Sequence, residues 1–216
     1  MLAGVAAADL LPPSATFREP SIRNQPSAPA GPSAERRPTA QRVLATGSIV
    51  DPGDSLVAHL RSLVGARDEA MTSVQFAIAT LRGMGEAVDA DLAGTTTGVD
   101  LVALAQSRDA WGKTAKPALG DLLVFDRSDN NDRPSSLVGV VIRRDDRGVI
   151  EFLYLQRGVI RRGFVDSRRP TMQRDDRQRV VNTHVRAGRS GDPRGTKYLA
   201  GELLSGVIGL QGLTLP

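Results

Sequence analysis

The spacing of apolar positions divides the chain into an unpatterned start, a helical middle and a strand-rich second half. Leu56, Val57, Leu60, Leu63 and Val64 follow the i, i+1, i+4, i+7, i+8 spacing of one helical stripe, with Asp54 placed to cap it after Asp51-Pro52-Gly53. Val74, Ala77, Ile78, Leu81 and Met84 form a second stripe, capped by Thr72 or Ser73 and stopped by Gly83 and Gly85. The Thr- and Gly-rich run 94–98 reads as a loop, and Leu101, Leu104 and Ala105 predict a short helix over 99–107. Residues 122–125, 137–142 and 149–155 are then brief apolar runs, rich in β-branched and aromatic side chains and bounded by Gly, Pro, Asp and Asn, as buried strands are. Asp145-Asp146-Arg147-Gly148 supplies a tight hairpin between the last two, and 158–164 reads as the next strand. Helices followed by an antiparallel meander predict an α+β fold.

Residues 1–46 are rich in Pro, Ala and Ser and offer too little apolar surface to offset ordering entropy. They are expected to form a disordered tail ahead of one α+β domain over 47–216. The first ten residues have no basic n-region and too short an apolar segment for a complete signal peptide, and Ala6-Ala7-Ala8 resembles a cleavage site, as expected of the tail end of one if the true start lies upstream.

Composition removes several chemistries. The 216 residues include no Cys, so a thiol nucleophile, a disulfide framework and a thiolate metal site are excluded, and two His leave little for zinc. No apolar run reaches the roughly 18 residues that a membrane-spanning helix needs. The net charge of +4 comes from an excess of Arg, with only three Lys among 28 basic residues, as a GC-rich genome would encode. The basic residues concentrate between Arg143 and Lys197, but no aromatics interleave them for base stacking, so nucleic acid is not the expected partner. The loop from Asp126 to Asp132 has oxygen ligands at alternate positions yet lacks the central Gly and closing Glu of a calcium loop. Asx-turn chemistry accounts for the same residues, and neither metal nor cofactor is expected.

Pro117-Ala118-Leu119-Gly120-Asp121-Leu122-Leu123-Val124-Phe125, followed by Leu137-Val138-Gly139-Val140-Val141, resembles the central hairpin of the papain-like cell-wall hydrolases of the CHAP and NlpC type. Arg168-Arg169-Pro170, the run from Arg174 to Asn182, and Leu199-Ala200-Gly201-Glu202-Leu203-Leu204-Ser205-Gly206 resemble later segments of CHAP-like proteins of high-GC bacteria. The likeness covers about residues 55 to 210. It implies a papain-like fold, helices packed on a curved antiparallel sheet, and a place in the cell envelope or outside the cell.

In that family a Cys nucleophile opens the second helix, a His base opens the second strand, and a further polar residue orients the base. With Phe76 aligned to the family's aromatic, those positions hold Ser73, Leu137 and Tyr154, while Val74 and Gln75 replace the motif's Ser and Gly. A serine hydroxyl needs a base to ionise it near neutrality, and Leu137 is none. Tyr154, with a reference pKa near 10, is a poor orienter. The resemblance therefore implies a catalytically degenerate, non-enzymatic module that binds a peptidoglycan fragment or a protein partner, with no catalytic residue. Ser73, Gln75, Trp111 and Tyr154 are the candidate groove residues, Trp111 serving either to stack on a glycan or to pack the core. Two alternatives stand beside this. One is an active wall amidase or endopeptidase using relocated residues such as Ser73 with His59. The other is a basic nucleic-acid-associated protein, whose binding would fall steeply with salt. His184 lies outside any catalytic position.

Overall fold

The computed structural model describes residues 52–112, 116–129 and 133–214. The tail expected over 1–46 lies outside them.

Among the described residues four helices come first. α1 (Pro52–Ser62) begins ahead of Asp54, which therefore sits in the first helical turn, where its charge complements the helix dipole, and is not the cap. α2 (Ser73–Gly83) is closed by a capping box: Thr72 Oγ1 accepts the Gln75 amide at 3.2 Å, and Gln75 Oε1 accepts the Thr72 amide at 2.9 Å. Val74, Ala77, Ile78 and Leu81 are buried along it, as their spacing predicts. The run 94–98 differs from the expected loop. α3 (Ala90–Gly94), capped by Asp89, ends in it, and α4 (Gly98–Ser107), capped by Thr97, begins in it. Five residues are too few for a 3.6-residue period to show, so α3 left no apolar stripe to read.

Among the described residues the sheet has six strands: β1 (Trp111–Gly112), β2 (Leu122–Phe125), β3 (Leu137–Arg144), β4 (Ile150–Gln156), β5 (Val159–Val165) and β6 (Leu204–Ile208). Their order is β1-β6-β2-β3-β4-β5, with every pair antiparallel. β2 to β5 form the meander read from the sequence. β6 arrives after the short α5 (Ala200–Leu203), enters between β1 and β2, and is followed by α6 (Leu210–Leu213).

Both faces of the sheet are covered. Leu122, Val124, Val138 and Val140 pack against α2 and α4 on one side. Leu123, Phe125, Val141, Phe152 and Tyr154 pack against Val185, Ala200 and Leu203 on the other. Arg61 of α1 reaches the buried Glu151 of β4 through both carboxylate oxygens, with Nε to Oε1 at 2.8 Å, and this pins the first helix to the sheet.

Two of the segments that carry the resemblance have clear mechanical work. Gly120 has φ +89°, and a Cβ there would meet Leu210 Cδ2 at 2.7 Å. Asp121 accepts the amides of Ala118 at 2.8 Å and Leu210 at 2.9 Å, so the turn before β2 is tied to α6. On the other side the buried Asn182 donates to the carbonyls of Arg169 (2.9 Å) and Met172 (2.8 Å) and accepts the Asp166 amide at 2.9 Å. Among the described residues, no helix is long and apolar enough to cross a membrane.

Candidate functional site

Ser73 is the first residue of α2, and Leu137 is the first of β3. The two elements are joined by a hydrogen bond from the amide of Val138, the next residue of β3, to Ser73 Oγ at 3.2 Å. Thr72 caps the helix, so the Ser73 hydroxyl is left to bind the strand instead.

A cavity of about 360 Å³ opens at this junction, lined by Thr72, Ser73, Ser128, Ser136, Leu137 and Gln156, with Glu69, Asp129 and Arg157 also on its wall. Ser136 Oγ accepts the Ser128 amide at 2.8 Å and lies 2.7 Å from Ser128 Oγ, which fixes the loop across from α2. A second hollow of about 480 Å³ shares Thr72, Ser73 and Ser136 with the first and extends to Thr97, Gly98 and Arg133. A third, of about 520 Å³, shares Gln156, Arg157 and Ala187 with the first and adds Arg161, His184, Arg186 and Tyr198. The three form a row along the surface, from the start of α4, past Ser73, to the turn after β4.

The electrostatics change along this row. Around Ser73 the polar groups are mainly neutral hydroxyls and an amide, donors and acceptors suited to peptide bonds or sugar hydroxyls. At the far end Tyr198 donates to Asp192 Oδ2 at 2.8 Å, and that bond, with burial, pushes the tyrosine hydroxyl pKa up. The Arg189 amide and the Tyr198 hydroxyl hold the Asp192 carboxyl below its usual range.

The residues singled out from the sequence fall in different places. Ser73 and Leu137 meet in the first cavity. Tyr154 does not join them. It is 2 % exposed and packs on Phe152 at a centroid distance of 5.3 Å, on the sheet face away from α2. Burial pushes its hydroxyl pKa up, with Arg161 opposing. Gln75 is used by the capping box and borders a separate hollow with Asp68 and Arg82. Trp111 lies on the edge strand β1, packed over Gly206, where any Cβ would overlap its ring, and it borders another hollow beside Asp121. The groove candidates Gln75, Trp111 and Tyr154 are thus outside the Ser73 cavity.

His59 is exposed on α1, and His184 is exposed with Nδ1 at 3.3 Å from Gln173 Nε2. Among the described residues neither imidazole hydrogen-bonds to Ser73. In the Asx-rich loop, Asp126 Oδ1 accepts the Ser135 amide at 2.6 Å and Asp129 pairs with Arg133, while residues 130–132 lie outside the described set.

Three polar wall residues escaped the sequence reading. Gln156 follows from the register: Gly139 pairs with Tyr154, so two residues further on Leu137 faces Gln156, whose Nε2 donates to the Val185 carbonyl at 2.5 Å. Ser128 and Ser136 carry no local signal, because serines are ordinary in loops.

No family model, curated protein or solved structure matches the chain. The functional reading therefore rests on the geometry and on the motifs themselves.

Proposed function

We propose that this domain is a catalytically disarmed relative of the papain-like cell-wall hydrolases, a module of the cell envelope that holds a peptidoglycan fragment or a protein partner without cleaving it. The observation that carries this reading is the Ser73–Val138 hydrogen bond. Ser73 and Leu137, which the motif alignment names as nucleophile and base, are brought to one junction of a helix N-terminus and a strand start by this bond from the amide of Val138, the residue after Leu137. Their side chains can no longer perform the reaction. Ser73 has a backbone amide as its hydrogen-bond partner and Leu137 has no proton to exchange, so both the covalent route and general-base catalysis are lost.

What remains is a groove whose walls carry neutral hydrogen-bonding groups beside the charged Glu69, Asp129 and Arg157. Thr72, Ser128, Ser136 and Gln156 are held by the capping box, by each other and by the Val185 carbonyl, so the binding surface is preorganised.

The test is cosedimentation of the purified chain with insoluble peptidoglycan sacculi at moderate salt, with soluble fragments measured in the supernatant. The chain should sediment, release nothing, and behave the same after Ser73→Ala. Ser136→Trp, which fills the groove, should abolish sedimentation. Release of fragments that Ser73→Ala stops would overturn the non-catalytic reading, and failure to sediment would overturn the wall ligand.

A further inference from the structure

The hollow beside Trp111 has a volume of about 630 Å³, larger than any of the three in the Ser73 row, and shares no lining residue with them. Its apolar wall is built around an aromatic ring. Trp111 lies on the edge strand β1, and the benzene half of its indole rests on Gly206, whose missing side chain lets the ring come down onto the sheet. The residue is only partly buried and borders the hollow, with the exposed Leu119 and the buried Leu210 beside it. An indole and aliphatic carbons around one concavity suit a ligand with an apolar body.

Charge decides what else that ligand carries. The whole chain has a net charge of +4, yet this wall holds Glu86, Asp109 and Asp121 and, among the described residues, no Lys or Arg. Asp121 has both oxygens bonded to the amides of Ala118 and Leu210, whereas among the described residues Glu86 and Asp109 have no ion-pair partner. Arg108, next to Asp109 in sequence, is turned to Asp89, Asp91 and the Leu213 carbonyl. Both unpaired acids stand just past helix C-termini, Glu86 after α2 and Asp109 after α4. The helix dipoles bring partial negative charge to those ends and disfavour carboxylates there. Asp109 also has φ +54° at the position after the cap, where helices ordinarily carry Gly. Two local preferences are overridden, and the result is a negative field beside Trp111. A cation is drawn by that field and by the face of an indole alike. Among the described residues no three His, Asp or Glu side chains converge to hold a metal ion, so the cation that fits is an organic one.

We propose that the hollow beside Trp111 binds an organic cation, the ammonium or guanidinium group at the end of a lysine or arginine side chain. Glu86 and Asp109 hold the charge, and Trp111 and Leu119 pack against the aliphatic stem. The site is apart from the Ser73 groove and does not rest on how that groove is read.

Trp111 is the only tryptophan of the chain, so its fluorescence, excited where tyrosine does not absorb, reports this hollow alone. The test titrates the full chain with the methylamides of N-acetyl-lysine, N-acetyl-arginine and the neutral N-acetyl-norleucine, and with magnesium chloride and N-acetylglucosamine, all at matched ionic strength. Amide NMR shifts at Glu86, Asp109 and Trp111 are followed alongside. The lysine or arginine compound should give a saturable change, and the other three should give none. The tighter of the two cations identifies the group as ammonium or guanidinium. Glu86→Gln combined with Asp109→Asn, which keeps side chains of the same shape, should weaken binding about tenfold. Asp146→Asn combined with Asp176→Asn, an equal change of charge at exposed positions elsewhere, should leave it unchanged. An equal response to the norleucine compound or to magnesium would overturn the proposal, as would a response to the sugar in place of the cations. Equal weakening in both double variants, or no change in either fluorescence or amide shifts, would overturn it too.

Discussion

The Val138 amide points its proton at the Ser73 hydroxyl oxygen, 3.2 Å away, and this bond joins the start of α2 to the start of β3. It has a structural value that can be separated from catalysis. Ser73→Ala should cost about 1 kcal/mol, the usual net worth of one partly exposed hydrogen bond, and lower the midpoint of thermal unfolding by about 3 °C. Differential scanning calorimetry checks this. A far larger loss would mean that Ser73 organises more than this contact.

Asn182 is the most economical staple on the opposite face, with one side chain satisfying three backbone groups at 2.8 to 2.9 Å. Asn182→Ala leaves those groups buried without partners and should cost about 3 kcal/mol, so that the unfolding midpoint falls by roughly 10 °C. Denaturant titration should show a shifted midpoint with an unchanged slope.

Asp175 predicts the response to acid. Burial works to raise its carboxyl pKa, but the Arg179 amide and guanidinium and the Arg177 amide outweigh it and hold the pKa well below the usual carboxylate range. A depressed folded pKa gives stability that is complete above the unfolded value, near 3.9, and is lost as pH falls through the folded one. Stability should therefore drop on acidification below about pH 4, and Asp175→Asn should flatten that part of the curve. Urea midpoints measured from pH 6 downward test it.

Gly98 shows how tightly the second hollow is built. A Cβ on this residue would overlap the Ser135 carbonyl, a backbone atom that cannot turn aside. Gly98→Ala should displace the 133–136 loop, cost about 2 kcal/mol, and weaken sacculus binding through Ser136. Normal binding by a destabilised variant would remove this hollow from the ligand's path.

How much of this was legible in the sequence depended on how local each feature is. The apolar stripe of α2 and the runs of β2 to β5 could be read because neighbouring residues carry their period. β6 could not, since Leu204-Ser205-Gly206-Val207-Ile208 is short and carries Ser and Gly, and its partners in β2 lie about 80 residues earlier. Tyr154 was misplaced for a related reason. Both faces of β4 are buried, so its alternation does not say which face borders a groove. The meeting of Ser73 with the start of β3 was suggested by the motif resemblance, whereas the flanking Ser128 and Ser136 needed coordinates.

The most direct test of the proposed relationship places a Cys and a His at the two positions that meet. In Ser73→Cys the thiol sits at a helix N-terminus, and in Ser73→Cys combined with Leu137→His it also gains an imidazole across the same cavity, which lowers a thiol pKa further. The measurement is the pH dependence of alkylation by iodoacetamide in both variants. The account predicts that the double variant's profile lies about one pH unit or more below that of the single variant. Superimposable profiles would contradict it, because positions 73 and 137 would then not be the remnant of a nucleophile and its base.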